Sequence, residues 1–302
     1  MFFRALVLSL AITALHAPSS YAQSARPPAS AEANPASDRE PGVQHSLSSP
    51  LPALTFDAHE DSAAESTLLD LVNQSRREAG VAPLNMEENL RQAARAHARL
   101  MVAKQQLEHQ FADELPLLQR IAEVSSLRLD RAGENIANAT CADGAHQALL
   151  LSPPHRKNLL DANFNRAGIA AIWSRGRLYV VQDFAHEVPS YSARAADEIV
   201  ANSLNQQRRS AGLPQLAEAS PSHLDEAACE LAQQERPSAR LLAATYANRK
   251  IITYTQSQPE LLPAAASHVV ADPNLHQFAI GSCYARNAAY PTGIYWVAIL
   301  LN

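Results

Sequence analysis

Net positive charge, long apolar runs and cysteine are all scarce in this 302-residue chain. Its formal charge is −5 with the signs interspersed, so no basic stripe forms and nucleic acid is not an expected partner. The apolar run near the start, Ala5 to Leu15, has 11 residues, against the roughly 20 needed to span a bilayer. No transmembrane helix is therefore expected in the mature chain. There are three cysteines, an odd number: Cys229 and Cys283 either pair or stay as two buried thiols, and Cys141 stands alone. Two catalytic signatures are also missing. No Gly-x-Ser-x-Gly elbow marks a serine hydrolase, and no His-Glu-x-x-His helix marks a local zinc site.

What is present begins with an export signal. In "MFFRALVLSLAITALHAPSSYAQS", Arg4 precedes the apolar run and Ser20-Tyr21-Ala22 supplies a small-x-small cleavage site. Residues 1–22 read as a signal peptide cut near Ala22, and the mature protein as secreted or periplasmic; an uncleaved anchor is the alternative. No cysteine stands at the cut to carry a lipid. Residues 23–60 are rich in Pro, Ser and Ala without apolar periodicity, a composition that cannot offset the entropy of ordering. They read as a disordered linker.

Periodic structure is expected from Asp61. Leu68, Leu69, Val72 and Ala79 are spaced for a helix that Gly80 ends, and Leu90, Ala94, His97 and Met101 define one face of a second. "PLLQRIAEV" and "GAHQALLL" predict two shorter helices, and "RAGIAAIWSRGRLYVVQDFAH" a hairpin turning at Ser174-Arg175-Gly176. Helices first and strands last indicate an α+β domain over residues 61–188.

An internal echo follows. "NQSRREAGVAPL" (73–84) returns as "NQQRRSAGLPQL" (205–216), identical at seven of twelve positions, and "LRQAARAHA" parallels "LDEAACELA". The expectation is a second, shortened and degenerate copy of one fold over residues 195–302. In that comparison His97 faces Leu231, so His97 reads as a packed helix histidine. "Gly-Glu-Asn" has no counterpart, and the ungapped match sets Ala266 against His155. The second copy reads as having lost the segment that carries His109 and Glu134.

The blocks "LLDLVNQSRREAGVAPL", "RQAARAHARLMV", "LEHQF", "AGENIA", "SPPHRKNLLDANFNRAGIA" and "YVVQDF" together resemble the CAP family of cysteine-rich secretory, antigen 5 and pathogenesis-related proteins, also called SCP domains. The resemblance covers about residues 64–186 and implies an α-β-α sandwich. It further implies a cleft where His109, Glu134 (in a Gly-Glu-Asn turn) and His155 (behind a Pro-Pro corner) converge and can hold Zn2+ or another divalent cation; a metal-free, hydrogen-bonded His-Glu-His cluster is the alternative. Asn135, Gln147 and Ser152 are expected as supporting cleft residues. This chain departs from the family's block before the second histidine: Leu149 replaces a tryptophan, Pro154 a glycine, and Ser152 stands near the place of a second acid. With that acid missing, a binding module for a small apolar, lipid-like or cell-envelope ligand is favoured over a metal-assisted hydrolase of peptide or ester bonds. No residue is assigned a catalytic role.

Overall fold

A computed structural model describes residues 57–219 and 223–302; the expected signal peptide and residues 23–56 lie outside the described residues. The first elements are β1 (His59–Glu60), α1 (Ser62–Glu78), β2 (Asn85–Met86), α2 (Glu88–Lys104), α3 (Leu117–Val124), β3 (Leu129–Ala139), α4 (Ala142–Leu151), α5 (Pro153–Leu159), β4 (Arg166–Ser174) and β5 (Arg177–Glu187). Structure thus starts earlier than expected. His59 and Glu60 pair with Trp173 and Ile172 on the sheet edge, and the Glu60 carboxylate is held by Arg99 and Arg95.

The sheet runs β1-β4-β5-β3, with β2 alongside β4. Its strands alternate between two buried faces, as period-2 side chains dictate. Ile169, Ala171, Leu178, Val180 and Phe184 pack against Leu68 and Val72 of α1, Leu149 of α4 and Leu159 of α5. Ala170, Ile172, Tyr179 and Val181 meet Ala94, Ala98 and Met101 of α2 on the other side. Helices on both faces make this an α+β, three-layer sandwich. Asp61 caps α1 by accepting from the Ala64 N–H, and Arg175 and Gly176, both at positive φ, make the β4–β5 turn.

Two expectations about local structure need correction. Glu134 lies mid-strand in the 11-residue β3, not in a turn: Gly133, Glu134 and Asn135 pair in register with Phe184, Asp183 and Gln182. Glycine here serves close approach, since a Cβ on Gly133 would stand 3.0 Å from the Phe164 ring. The Pro-Pro corner is the first turn of α5, where prolines cost no hydrogen bond.

A second set follows: α6 (Ala193–Ser210), β6 (Ala217–Glu218), α7 (Leu224–Gln233), α8 (Ala239–Leu242), β7 (Lys250–Gln256), α9 (Ala264–Val270), β8 (Gln277–Ala285) and β9 (Ile294–Leu301). It begins ahead of residue 195, with Ser192 capping α6 and the Tyr191 N–H donating to the Tyr295 hydroxyl. Its sheet runs β6-β8-β9-β7, so β6, β7, β8 and β9 pair as β2, β3, β4 and β5 do. Where the segment carrying Glu134 was read as lost, a strand, β7, pairs with β9 as β3 does with β5.

The echoed motif has a physical reason in both units. Arg76 is fully buried and donates to the carbonyls of Ala82, Leu159, Asp161 and Phe164; Arg208 donates to those of Pro214, Val270 and Asp272. Asn73 and Leu84 exchange two hydrogen bonds, as Asn205 and Leu216 do. These bonds tie each unit's first helix to distant backbone.

The units meet along residues 125–130, the link from α3 to β3. Arg128 lies over the rings of Tyr284 and Tyr295 and donates to the Tyr295 hydroxyl and to the carbonyls of Pro189 and Ser257. Arg286 donates to the carbonyls of Ser125 and Leu127, and Thr292 to that of Leu129.

Candidate functional site

The site sits at β3, an edge of the sheet. Glu134 projects to the α2 face with its cross-strand neighbour Asp183; Asn135 projects to the other face, towards α5. There the Asn135 amide donates to the His155 carbonyl, and the Asn158 amide donates to the Glu134 carbonyl and to Asn135 Oδ1. So α5 is fastened over the strand edge, which fixes His155 and covers backbone that would otherwise be exposed.

His109 comes from the loop between α2 and α3, and its Nδ1 lies 2.8 Å from Glu134 Oε1. Arg120 Nη2 of α3 lies 2.5 Å from the other oxygen, Oε2, and its Nη1 is 2.9 Å from Glu114 Oε1. His97 completes the chain. It is fully buried, with Nδ1 2.8 Å from Glu114 Oε1 and Nε2 3.0 Å from the Glu108 carbonyl. It packs as expected of a helix histidine, and it also joins the polar set. The result is a continuous rail, His97–Glu114–Arg120–Glu134–His109, buried except at His109, whose side chain is 35% exposed. The half-buried His155 ring stands 6.2 Å from that of His109.

Charge along the rail follows from its contacts. Burial alone would raise Glu134, but the hydrogen bond to His109 and the Arg120 charge outweigh it and hold the carboxyl below its usual range. Burial is likewise outweighed at Glu114 by His97 and Arg120. Asp183 goes the other way. It is fully enclosed with no donor to either oxygen among the described residues, and burial followed by the Glu134 charge pushes its carboxyl well above the normal value. Two carboxylates side by side have no hydrogen between them; a proton on Asp183 supplies one. Burial, then the His109 charge, lower His155.

The sequence named His109, Glu134, His155 and Asn135, and these lie together. Gln147 and Ser152 belong elsewhere: Gln147 is exposed on α4, and Ser152 forms the joint between α4 and α5. The sequence reading missed Arg120, Glu114, Asp183 and Asn158. One signal was available, the Gln182-Asp183 pair inside the apolar run "YVVQDFA", since a buried strand carries acid only for a reason.

The expected three-ligand metal set does not fit this geometry. Among the described residues no group of three or more His, Cys, Asp or Glu side chains is placed to hold a metal ion. Ligand atoms on one tetrahedral zinc, at 2.0–2.1 Å from it, stand about 3.3 Å apart. The 2.8 Å between His109 Nδ1 and Glu134 Oε1 is a hydrogen bond instead. The second oxygen is taken by a guanidinium.

The model of the cysteine-rich secretory protein family, CAP, matches residues 69–184. Residues 69–184 are a CAP domain. A curated relative, the uncharacterised protein YkwD of Bacillus subtilis strain 168, is 30% identical over 117 residues, which is 37% of this chain. The match spans 44% of that relative's length. A solved extracellular protein containing an SCP domain, from Bacillus anthracis strain Ames, is 27% identical over 41% of each chain, with a TM-score of 0.37. A solved outer surface protein of Borrelia burgdorferi is 16% identical over 43% of this chain and 99% of its own, with a TM-score of 0.41. In the CAP domain here, all of Arg120, Glu134 and Asp183 fall inside the matched residues.

Proposed function

We propose that this chain is an exported cell-envelope binding protein whose CAP domain receives a small apolar or lipid-like ligand beside His109 and His155. The observation that carries the reading is the engagement of both Glu134 oxygens, one by Arg120 and one by His109. A carboxylate so held, and below its usual range, is a poor proton acceptor at neutral pH. It serves instead to orient the His109 ring at the rim. The alternative, a metal-assisted hydrolase of peptide or ester bonds, needs Glu134 released from Arg120.

Room for a ligand body is available along the helix of His155, in a depression that His155 itself does not line. That helix, α5, lines the open depression of about 670 Å³ together with Leu151, Leu160 and Arg131. Leu151 is 81% exposed there, and Arg156 and Lys157 flank Pro153 on the same wall. Apolar and cationic groups side by side suit an amphiphile with an acidic head. Export is supported by the signal-like residues 1–22. The second unit we read as the same fold with its polar set removed: Thr253 and Ala298 pair across β7 and β9, and Ala298 faces Gly281 as Asp183 faces Gly168.

The test is calorimetry of the mature chain with dodecanoate, beside His155→Ala and Arg156→Glu variants and an activated-ester turnover assay. Binding tighter than about 100 µM that weakens at least about tenfold in both variants is expected, a loss of about 1.4 kcal/mol. Ester turnover that disappears with Glu134→Gln would favour the hydrolase.

A further inference from the structure

The binding reading asks of Arg120 only that it hold one Glu134 oxygen, yet it touches more than that. Its guanidinium is 8% exposed, comes from the short helix α3, and touches two buried carboxylates, Glu114 and Glu134. No surface ion pair is enclosed in this way. Its site also holds Asp183, His97 and, at the rim, His109 and His155: imidazoles and carboxylates of the types that bind zinc. Buried carboxylates among such ligand atoms need a positive charge nearby, and here the chain brings its own.

We propose that Arg120 is the resident cation of the CAP-domain site: it bridges Glu114 and Glu134 from within and bars zinc while it is present, and its removal opens a His109–Glu134–His155 zinc site. Three features support the exclusion. A zinc ion entering at Glu134 must displace a guanidinium tethered to the same fold and bonded to a second carboxylate, so its effective concentration at Glu134 is high. It must also part His109 from Glu134, since their 2.8 Å hydrogen bond is shorter than a shared metal allows. And displacing the guanidinium from Glu134 costs a buried, charge-assisted hydrogen bond, while its other nitrogen stays held by Glu114. The second unit fits the same logic: Thr253 and Ala298 stand where Glu134 and Asp183 do, leaving no buried carboxylate there to neutralise.

This goes beyond the proposed ligand, and it holds whether the cleft binds or hydrolyses. Zinc chloride titration by calorimetry and thermal shift, with no organic ligand present, reads it directly. The wild-type chain is expected to show no binding at micromolar zinc. Arg120→Met is expected to gain zinc binding of at least about tenfold over wild type, with a Tm that rises on adding zinc. The gain is expected to vanish in Arg120→Met with His109→Ala. Micromolar zinc binding by the wild type that is lost in His109→Ala overturns the proposal, as does a folded Arg120→Met with no gain. Where Arg120→Met does not fold, Arg120→Gln, whose amide can still hydrogen-bond both glutamates, is judged by the same two outcomes.

Discussion

Five residues after Leu90 on α2, Arg95 reaches back to α1 and makes two hydrogen bonds to the buried Glu65. Five residues after Leu224 on α7, the same place holds Cys229, bonded through sulfur to Cys283 of β8. The first unit thus fastens its second helix to its first by charge, and the second unit fastens its second helix to the sheet by a covalent bond. The neighbouring carboxylates differ in consequence. Glu65 is bracketed by Arg91 and Arg95, whereas Asp197 of α6 faces Asp225, and burial followed by that neighbour pushes its carboxyl up to about 7. The difference extends to the sheet edge, where Glu134 and Asp183 stand in one unit and Thr253 and Ala298 in the other. At these matched positions the first unit uses buried ionic groups, and the second uses uncharged residues and a disulfide.

The largest expected effect breaks the covalent side of this comparison. Replacing Cys229 and Cys283 by serine removes a bridge closing a 54-residue separation, worth about 4 kcal/mol in loop-closure entropy. The chain has two tryptophans, Trp173 in the first unit and Trp296 in the second, so single-tryptophan variants can follow each unit in urea. The Trp296 transition is expected to move and the Trp173 transition to stay. If both move together, the contacts of Arg128 and Arg286 weld the units into one cooperative body, and the two must be discussed as one.

A smaller effect should be equal in both units. Gly168 and Gly281 lie where the second helix touches the sheet: a Cβ would stand 2.1 Å from the carbonyl carbon of Leu90 in one and 2.4 Å from that of Leu224 in the other. Backbone cannot yield as a side chain can, so alanine at either glycine is expected to cost about 3 kcal/mol, at the upper end for overpacking. Urea midpoints of the two variants check this. A tolerated alanine in one unit would show its helix seated more loosely and would end the claim of a shared frame.

These glycines also mark what was legible beforehand. The repeated Asn, Arg and Gly positions could be read because one physical task, tying helix to backbone, was solved twice with the same residues. The helices were readable from periodicity, with α1 ending just before Gly80 and α4 just before Pro153, whereas α2 ends at Gln105 and α3 at Ser125 without either signal. The ungapped match nonetheless slipped: it set Ala279 opposite Gly168, where the close approach to helix backbone singles out Gly281. β3 was missed because both its faces are covered, which erases the apolar-polar alternation that marks a half-buried strand. Once Glu134 was placed in a turn, its partner Asp183 could not be found, because cross-strand neighbours 49 residues apart leave no local signal. Arg120 was hidden for a related reason. In a short helix, an arginine on one side looks solvated until the loop before it folds back.

The smallest expected effect concerns Asp183, and it sharpens the contrast with Ala298. Asp183 is raised in the folded state by burial and then by Glu134, so at pH values between its unfolded value, about 3.9, and its folded one the folded chain holds a proton that the unfolded chain has released. Stability attributable to this group is therefore full at the acid end and falls as pH rises through that window. Each unit of upward shift corresponds to about 1.4 kcal/mol. Asp183→Asn keeps the shape and stays neutral at every pH, and its amide can donate to Glu134. The variant is expected to match wild type near pH 4 and to exceed it increasingly towards neutrality, by about 1 kcal/mol or more. Chemical denaturation from pH 4 to pH 8, followed at Trp173, measures the divergence. A constant offset across that range would mean that Asp183 is ionised in the folded chain, held by donors the fold must then supply. Arg120 would in that case face three buried carboxylates, Glu114, Glu134 and Asp183.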